Sequence, residues 1–505
     1  MTKGQRIYLP MVLLLLVFFR LATLWLDKPF AGHHDWDNVD VDNVVRNYLR
    51  DGYAESDFLN IRSRPDALPE HLYVYRSRPP TMGIYVSLLV RGMGDFPTTI
   101  RTALIFLSMI SICVFYQLAR RIYGRRIGWL AAFFFTFSPT VVYFSRIANW
   151  EQGSALFTCA FLLAYVCWLQ DQRRWQLILA YVLAFLSIWW LHDMAFLLAV
   201  LFIYSLLMGT RRQQIHTFGM GLAGLFALIL FFFVTTNGFD SEALDQLRNR
   251  AELKSGSQVE EILGSGVIKQ FTIPDFIGRW LFRIQYGYSP FMLIFVLMGL
   301  SFLIRTRSLP REAYLVLAWL LAGFVSIVFW RNSSYLHDYI MLYIFAMPFA
   351  LLAGVGLSRV WQHNSLIARN RVQRFAAGGV FGHLLLCLGA VIFLTNFTNR
   401  GMLWLAEQIA ERTTQTEIVG LNIPYTGPHI EYYADRTLIF QAADTSENII
   451  QRLEGGNYDL FISCRPAANP APSLPASFQV EVLTADAEEW GRPTFCYVIR
   501  PIAAP

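Results

Sequence analysis

Charge is what this 505-residue chain has least of. Asp, Glu, Lys and Arg make up 15% of it, while 55% is hydrophobic and 15% aromatic. A soluble chain carries about 25% charge, and here the apolar residues arrive in blocks long enough for the roughly 20-residue helix that crosses a bilayer. A soluble globular protein is therefore excluded. Cysteine is also sparse, at six residues, with no CxxC pair and no His-rich metal spacing. A glycine-rich nucleotide loop is not evident, and no internal repeat suggests a transporter built from inverted halves. The first apolar block, Ile7 to Leu26, lacks a small-residue cleavage site and runs directly into Asp27 and Lys28. It reads as a retained helix rather than a signal peptide. The net charge of +6 does not imply nucleic acid, because the basic residues cluster in short loops between apolar blocks, where membrane topology places them.

Those blocks give eleven expected spans, at 7–26, 99–118, 127–143, 149–169, 175–191, 194–209, 217–235, 288–304, 312–330, 335–357 and 376–395. With the amino terminus in the cytoplasm, one side receives Arg120, Arg121, Arg125 and Arg126, then Arg173, Arg174, Arg211 and Arg212. The same side takes Arg305, Arg307 and Arg311, and then Arg359, Arg369, Arg371 and Arg374. Short loops on the other side carry little that is basic beyond Arg146 and Arg331, so every short loop agrees on one orientation. The expected plan is a polytopic α-helical membrane domain, 1–395, followed by an extracytoplasmic domain, 396–505. Long outer segments lie at 27–98 and 237–285, the latter polar. The chain reads as a bacterial inner-membrane protein.

The tail reads as a small α/β domain. Strands are expected at Glu417–Ile423, Thr437–Phe440, Asp459–Ile462, Phe478–Leu483 and Phe495–Ile499. Helices are expected at Trp404–Arg412, Pro428–Ala434 and Ser446–Glu454, the last between a Ser cap and Gly455-Gly456. Cys113, Cys159, Cys167 and Cys387 lie in spans as apolar filler. Cys464 and Cys496 share the outer domain, where an oxidising compartment would permit a bond, and the sequence leaves their pairing open.

Acidic and basic groups gather in the outer segments. After the first span come His34-Asp35-Trp36-Asp37-Asn38, then Asp40, Asp42 and Arg46. Carboxylates so near a membrane lose hydration unless they serve a partner, although helix-capping aspartates in a solvated loop would give the same pattern. Glu151 opens the fourth span just after Arg146, where an acid also suits the helix dipole. Two acids facing one cavity suit general-base catalysis, one removing a proton and the other orienting a substrate or a divalent cation. The cations of the outer side are Arg78, in Arg78-Pro79-Pro80, and Arg331, followed by His337 and Tyr339. Guanidinium forks match phosphate oxygens. His192-Asp193 joins two spans on the same side. Any one of these residues could be an interface anchor, but their convergence on a single face points to a site.

The arrangement resembles the membrane glycosyltransferases that use polyprenyl-phosphate sugars, the protein O-mannosyltransferase and lipid A aminoarabinose transferase families. The resemblance rests on several parts in the right order. Asp35-Trp36-Asp37-Asn38 leads into a surface helix through Val45-Arg46-Asn47-Tyr48-Leu49, Arg78-Pro79-Pro80 begins a second, and Ser145-Arg146 is followed by Glu151. It implies the GT-C fold type and a donor consisting of a polyprenyl-phosphate-linked sugar. It also implies a lipid, glycan or protein acceptor and transfer with inversion on the extracytoplasmic face. The first-loop acid would be the base, Glu151 the second acid, and Arg78 the phosphate ligand, with His337 and Tyr339 near the donor. The usual Asp-Glu motif is absent, which leaves Asp35 and Asp37 as alternative bases, the His-Asp-Trp context slightly favouring Asp35. A transporter or flippase for lipid-linked saccharides, or an oligosaccharide transferase or polymerase using a pyrophosphate-linked donor, is the competing reading.

Overall fold

The computed structural model describes residues 5–32, 34–65, 74–76, 78–94, 97–236, 245, 248, 272–306, 309–362, 366–422, 427–440, 446–466, 472–485 and 494–502. Its membrane part is built from α1 (Gln5–Ala22), α4 (Pro97–Tyr123), α5 (Arg125–Thr136), α6 (Pro139–Phe144) and α7 (Trp150–Asp171). These are followed by α8 (Arg174–Trp190), α9 (Met194–Met208), α10 (Arg211–Thr236), α11 (Ile273–Tyr288) and α12 (Pro290–Arg305). The set closes with α13 (Leu315–Phe329), the short α14 (Arg331–Leu336), α15 (Asp338–Trp361) and α16 (Leu366–Asn396). Two further helices, α2 (Asp35–Asp51) and α3 (Thr81–Met93), match the expected surface helices. Each expected span contains helix. Six described helices are by themselves long and apolar enough to cross a membrane, or seven with one bent pair counted as a span. This is a multi-pass membrane protein.

Three expected spans are interrupted, the block at 335–357 by extended His337 between α14 and α15. The block at 127–143 divides into α5 and α6, because Ser138 is extended and Pro139 restarts the helix at its first turn. The block at 288–304 is α12 alone, set at 102° to α11 across Ser289, whose φ is +60°. The polar segment 237–285 also needs correction at its end. Residues 249–271 lie outside the described ones, but Thr272 and Asp275 form a reciprocal capping box that starts α11. Ile273, Ile277, Leu281 and Phe282 leave that helix with an exposed apolar surface.

The basic loops share one end of the molecule. Arg121 pairs with Asp171, Arg212 donates to Gln172 at 3.1 Å, and the Tyr123 hydroxyl donates to the Ala313 carbonyl. α2, α3 and the tail occupy the other end. α15 runs through the middle, buried along most of its length, and crosses α12 very closely. A Cβ on Gly356 would sit 2.1 Å from the Phe295 carbonyl oxygen, and one on Gly299 would sit 2.1 Å from that of Leu352.

The tail begins with α17 (Arg400–Arg412) and forms a five-stranded sheet from β1 (Ile418–Leu421), β2 (Thr437–Phe440), β3 (Leu460–Pro466), β4 (Phe478–Ala485) and β5 (Thr494–Pro501). The order is β2-β1-β3-β5-β4, parallel across the first three and antiparallel at β5 and β4. α18 (Gly427–Ala434) and α19 (Ser446–Glu454) are the crossover helices. Cys464 and Cys496 face each other in the β3–β5 register and are disulfide-bonded.

Replacing Gly356 with Leu should cost about 3 kcal/mol or more, because the closest neighbour is backbone and cannot move aside. Thermal unfolding in detergent should show a midpoint lowered by several degrees, and an unchanged midpoint would contradict this crossing.

Candidate active site

The site is built around the first turns of α2. Asp35 opens the helix, where a carboxylate suits the dipole, and its Oδ2 accepts the Gly32 N–H at 2.7 Å. Asn38 donates to Oδ1 at 2.6 Å, and Arg101 Nη2 lies 3.1 Å from both carboxylate oxygens. Burial works to raise this carboxyl, but Arg101, the Gly32 amide and Asn38 outweigh it and hold the group below the usual carboxylate range. Asp35 is therefore fully engaged in holding the helix start.

Asp37 lies about 200° further round the helix, in different surroundings. It is 2% exposed, and its Oδ2 has no hydrogen-bond partner among the described residues. Burial pushes its carboxyl well above the usual range. Arg62 and Arg78 oppose that shift, while Asp40 and Glu151 add to it. Arg62 is held by Asp40 at 2.7 Å and stacks 3.6 Å over Tyr75.

Arg78 meets Glu151 at 3.0 Å, both buried. The loop carrying Arg78 is fastened to the start of α7 by Trp150, whose indole donates to the Pro79 carbonyl at 2.9 Å. α7 itself is capped by Asn149, which accepts the Gln152 N–H at 3.2 Å. Burial disfavours the Arg78 charge, but the Glu151 carboxylate overrides it and raises the guanidinium's pKa further. Arg78 Nη1 and Glu151 Oε2, like Asp37 Oδ2, are buried with no hydrogen-bond partner among the described residues. Tyr339, at the head of α15, lies within the electrostatic reach of all three groups.

The remaining candidates divide. Asp193 lines a small cavity with Glu151, and His337 stacks on Tyr339 and packs on Trp36, with centroids at 5.4 and 5.3 Å. His192 packs against Trp330 and Phe231. Arg331 is exposed at the start of α14. Arg146 is a strut, donating to the Leu24 and Trp25 carbonyls that end the first span. His34 Nε2 lies 2.6 Å from Asp338 Oδ1, and the Tyr286 hydroxyl donates to Oδ2 of the same carboxylate at 2.5 Å. Together with Tyr143, these groups roof a mainly apolar cavity of about 460 Å³, walled by α6, α11, α15 and α16. Phe282 and Phe393, on its rim, are 68% and 76% exposed. Among the described residues no three His, Cys, Asp or Glu side chains are grouped as metal ligands.

Residues 77–235 match the family model of dolichyl-phosphate-mannose-protein mannosyltransferase, a segment that holds Arg78, Arg101 and Glu151. No curated protein matches the sequence. The structure is similar to ArnT from Cupriavidus metallidurans bound to undecaprenyl phosphate, with a TM-score of 0.66 at 15% identity over 99% of both chains. The chain has the GT-C fold.

Two other GT-C structures widen the comparison. The archaeal oligosaccharyltransferase AglB from Archaeoglobus fulgidus, in complex with an inhibitory peptide and a dolichol-phosphate, gives 0.59 at 13% identity over 92% of this chain and 70% of that one. The arabinofuranosyltransferase AftD from Mycobacteria gives 0.53 at 14% identity, over 99% of this chain and 42% of that one. All three neighbours are glycosyltransferases.

Sequence reasoning missed Arg101, although a lone cation in the first turns of an apolar span is the kind of residue that marks a functional partner. It also missed the roof formed by Tyr143, Tyr286 and Asp338, which is joined only by the fold.

Arg101→Leu would strand a buried Asp35 carboxylate at a cost of about 3–5 kcal/mol, so the variant should unfold or melt well below the wild type. Asp37→Asn should do the reverse. Folding raises the Asp37 pKa, a penalty absent below the unfolded value near 4 and growing as pH rises above it. At pH 7 the Asn variant should melt at or above the wild-type midpoint. A loss of stability equal to that of Arg101→Leu would refute the distinction.

Proposed function

We propose that this protein is an inverting glycosyltransferase that moves a sugar from a polyprenyl-phosphate carrier to an acceptor hydroxyl on the extracytoplasmic face of a bacterial inner membrane. The observation that carries the reading is the convergence of three buried polar atoms, Asp37 Oδ2, Arg78 Nη1 and Glu151 Oε2, with no hydrogen-bond partner among the described residues. One open atom on each of a carboxylate, a guanidinium and a second carboxylate leaves room for a hydroxyl proton and a phosphate oxygen. The fold's neighbours, captured with undecaprenyl phosphate and with a dolichol-phosphate, support a lipid-phosphate donor.

In this reading Asp37, not Asp35, is the base, because Asp35 has no free lone pair to offer. Asp37 takes the proton of the acceptor hydroxyl as its oxygen bonds to the anomeric carbon. The bond from that carbon to the phosphate oxygen breaks, and the electron pair leaves with the polyprenyl phosphate. Arg78 Nη1 receives the developing charge, while Glu151 holds the guanidinium in place through Nη2. Tyr339, His337 and Trp36 form an aromatic face beside the reacting groups. The apolar cavity beyond His34 and Asp338, of a size that suits a small-molecule site, takes a stretch of the carrier's hydrocarbon chain, which enters from the bilayer between Phe282 and Phe393. Were a divalent cation part of the reaction, the carboxylates of Asp37 and Glu151 would hold it, and it would add positive charge opposite the departing phosphate.

Purified protein incubated with a panel of polyprenyl-phosphate sugars should release polyprenyl phosphate. Asp37→Asn should lower kcat by about 10²–10⁴-fold, and Arg78→Lys, which keeps a cation for Glu151 but removes the planar fork, by about 10²–10³-fold, with both variants folded. No release from any donor, together with full activity of the two variants in cells, would sink the reading in favour of a transporter.

The pH profile gives an independent check. Only ionised Asp37 accepts a proton, and its pKa is raised, so the acid limb of kcat/KM should lie above the ordinary carboxylate range near 4. A limb at or below 4 would point away from Asp37.

A further inference from the structure

The chain leaving the first span is stitched to the chain leaving α16. The Lys28 ammonium donates to the Asn396 carbonyl and to the Asn396 side-chain oxygen, both at 3.0 Å, and the Asn399 N–H donates to the Ala31 carbonyl at 2.7 Å. Beside this seam lies a niche of about 20 Å³ lined by Lys28, Arg101, Arg146 and Asp35, with Leu394 and Phe397 on its α16 side. Tyr143, Leu394 and Phe397 border both this niche and the 460 Å³ apolar cavity, so a charged pocket and an apolar one share a wall.

The charge in the niche does not balance. Arg101 spends its terminal nitrogens on the Leu26, Lys28 and Pro29 carbonyls and on Asp35, and Arg146 spends its own on the Leu24 and Trp25 carbonyls. Carbonyl oxygens satisfy N–H groups but neutralise no charge. Asp35 thus offsets one of three cations. Arg400, at the start of α17, adds a fourth within electrostatic reach of Lys28, against Asp27. Burial and the neighbouring guanidiniums lower the Lys28 ammonium below the usual lysine range, with Asp27 pulling the other way. Arg101 Nε is buried with no hydrogen-bond partner among the described residues. An ammonium has three donors, and the two bonds to Asn396 leave one for a ligand.

Size and position narrow the ligand. A space of about 20 Å³ takes one oxygen-sized group, which excludes a sugar ring. A phosphate fits when one oxygen enters between the cations and the rest of the headgroup stays outside. Lys28 lies 5.5 Å over the ring of Trp25, an exposed aromatic of the kind that marks a membrane–water boundary. Phe393 and Phe397, on the same stretch of chain as Asn396, are exposed apolar surface that acyl chains would cover.

We propose that Lys28, Arg101 and Arg146 form a site for the phosphate of an anionic phospholipid, whose chains lie along Phe393 and Phe397 and whose headgroup closes the seam between the first span and α16. Basic pockets between membrane helices hold lipid headgroups by this chemistry. The lipid is bound without being consumed, and none of Asp37, Arg78 and Glu151 lines its site.

Full-length protein in detergent, stripped of lipid, is titrated with phosphatidylglycerol, phosphatidylcholine, inorganic phosphate and undecaprenyl phosphate, and bound lipid is counted by native mass spectrometry. Phosphatidylglycerol should bind about tenfold more tightly than phosphatidylcholine, whose choline cation the niche repels, and should raise the melting midpoint by several degrees. Lys28→Glu should abolish the preference, Lys28→Arg should keep it, and undecaprenyl phosphate should bind Lys28→Glu as it binds the wild type. In the wild-type protein, with no variant needed, the preference should fade as salt is added. Equal binding of the two phospholipids, or a preference that survives Lys28→Glu, would overturn the site. A midpoint raised as much by inorganic phosphate as by phosphatidylglycerol would overturn the lipid in favour of a free anion. Loss of undecaprenyl phosphate binding in Lys28→Glu would overturn it in favour of the carrier.

Discussion

One buried cation organises the outer end of this molecule. Arg101 sits in the first turns of α4, 1% exposed, where a guanidinium cannot be left without acceptors. It gathers the carbonyls of Leu26, Lys28 and Pro29 and both oxygens of Asp35. A single side chain thus joins the exit of the first span, the start of α2 and a membrane helix. With the start of α2 pinned, the helical period decides what its other residues face. Asp37 and Asp40 turn toward Arg62, Arg78 and Glu151, and Asp42 turns toward the tail.

The two aspartates near the start of α2 show how environment divides chemically identical groups into different roles. Asp35 is surrounded by donors and stabilised as an anion, which suits a strut. Asp37 has its charge opposed by burial and by two neighbouring carboxylates, and it keeps an oxygen free. The Arg78–Glu151 pair makes a similar division within one ion pair. One nitrogen and one oxygen meet, while Nη1 and Oε2 stay open.

Much of the fold could be read from residue patterns because the signals were local. Apolar blocks, basic loops, the Ser446 and Gly455 boundaries and the alternation of the tail strands each fall within a short window. The breaks at Ser138 and Ser289 were harder, because apolarity runs through them unchanged and only proline and backbone geometry mark them. The choice between Asp35 and Asp37 was not legible at all. It depends on Arg101, which is 66 residues from Asp35, and on Arg78, Glu151 and Arg62 arriving from other segments. The bond between Cys464 and Cys496 was undecidable for the same reason, since it follows from strand register.

The bend between α11 and α12 has a bearing on how substrates are chosen. In the transferase reading, a helix set at 102° to a span, with Ile273, Ile277, Leu281 and Phe282 uncovered, would rest along the lipid surface and act as a float. It would fix the depth at which the protein rides, and so the height of Asp37 above the acyl region. A molecule anchored by a long chain would then present its reactive carbon at that height on every approach, while a freely dissolved analogue would have to find it by chance. Selection by altitude then works alongside selection by shape, and it would shift with the thickness of the surrounding bilayer.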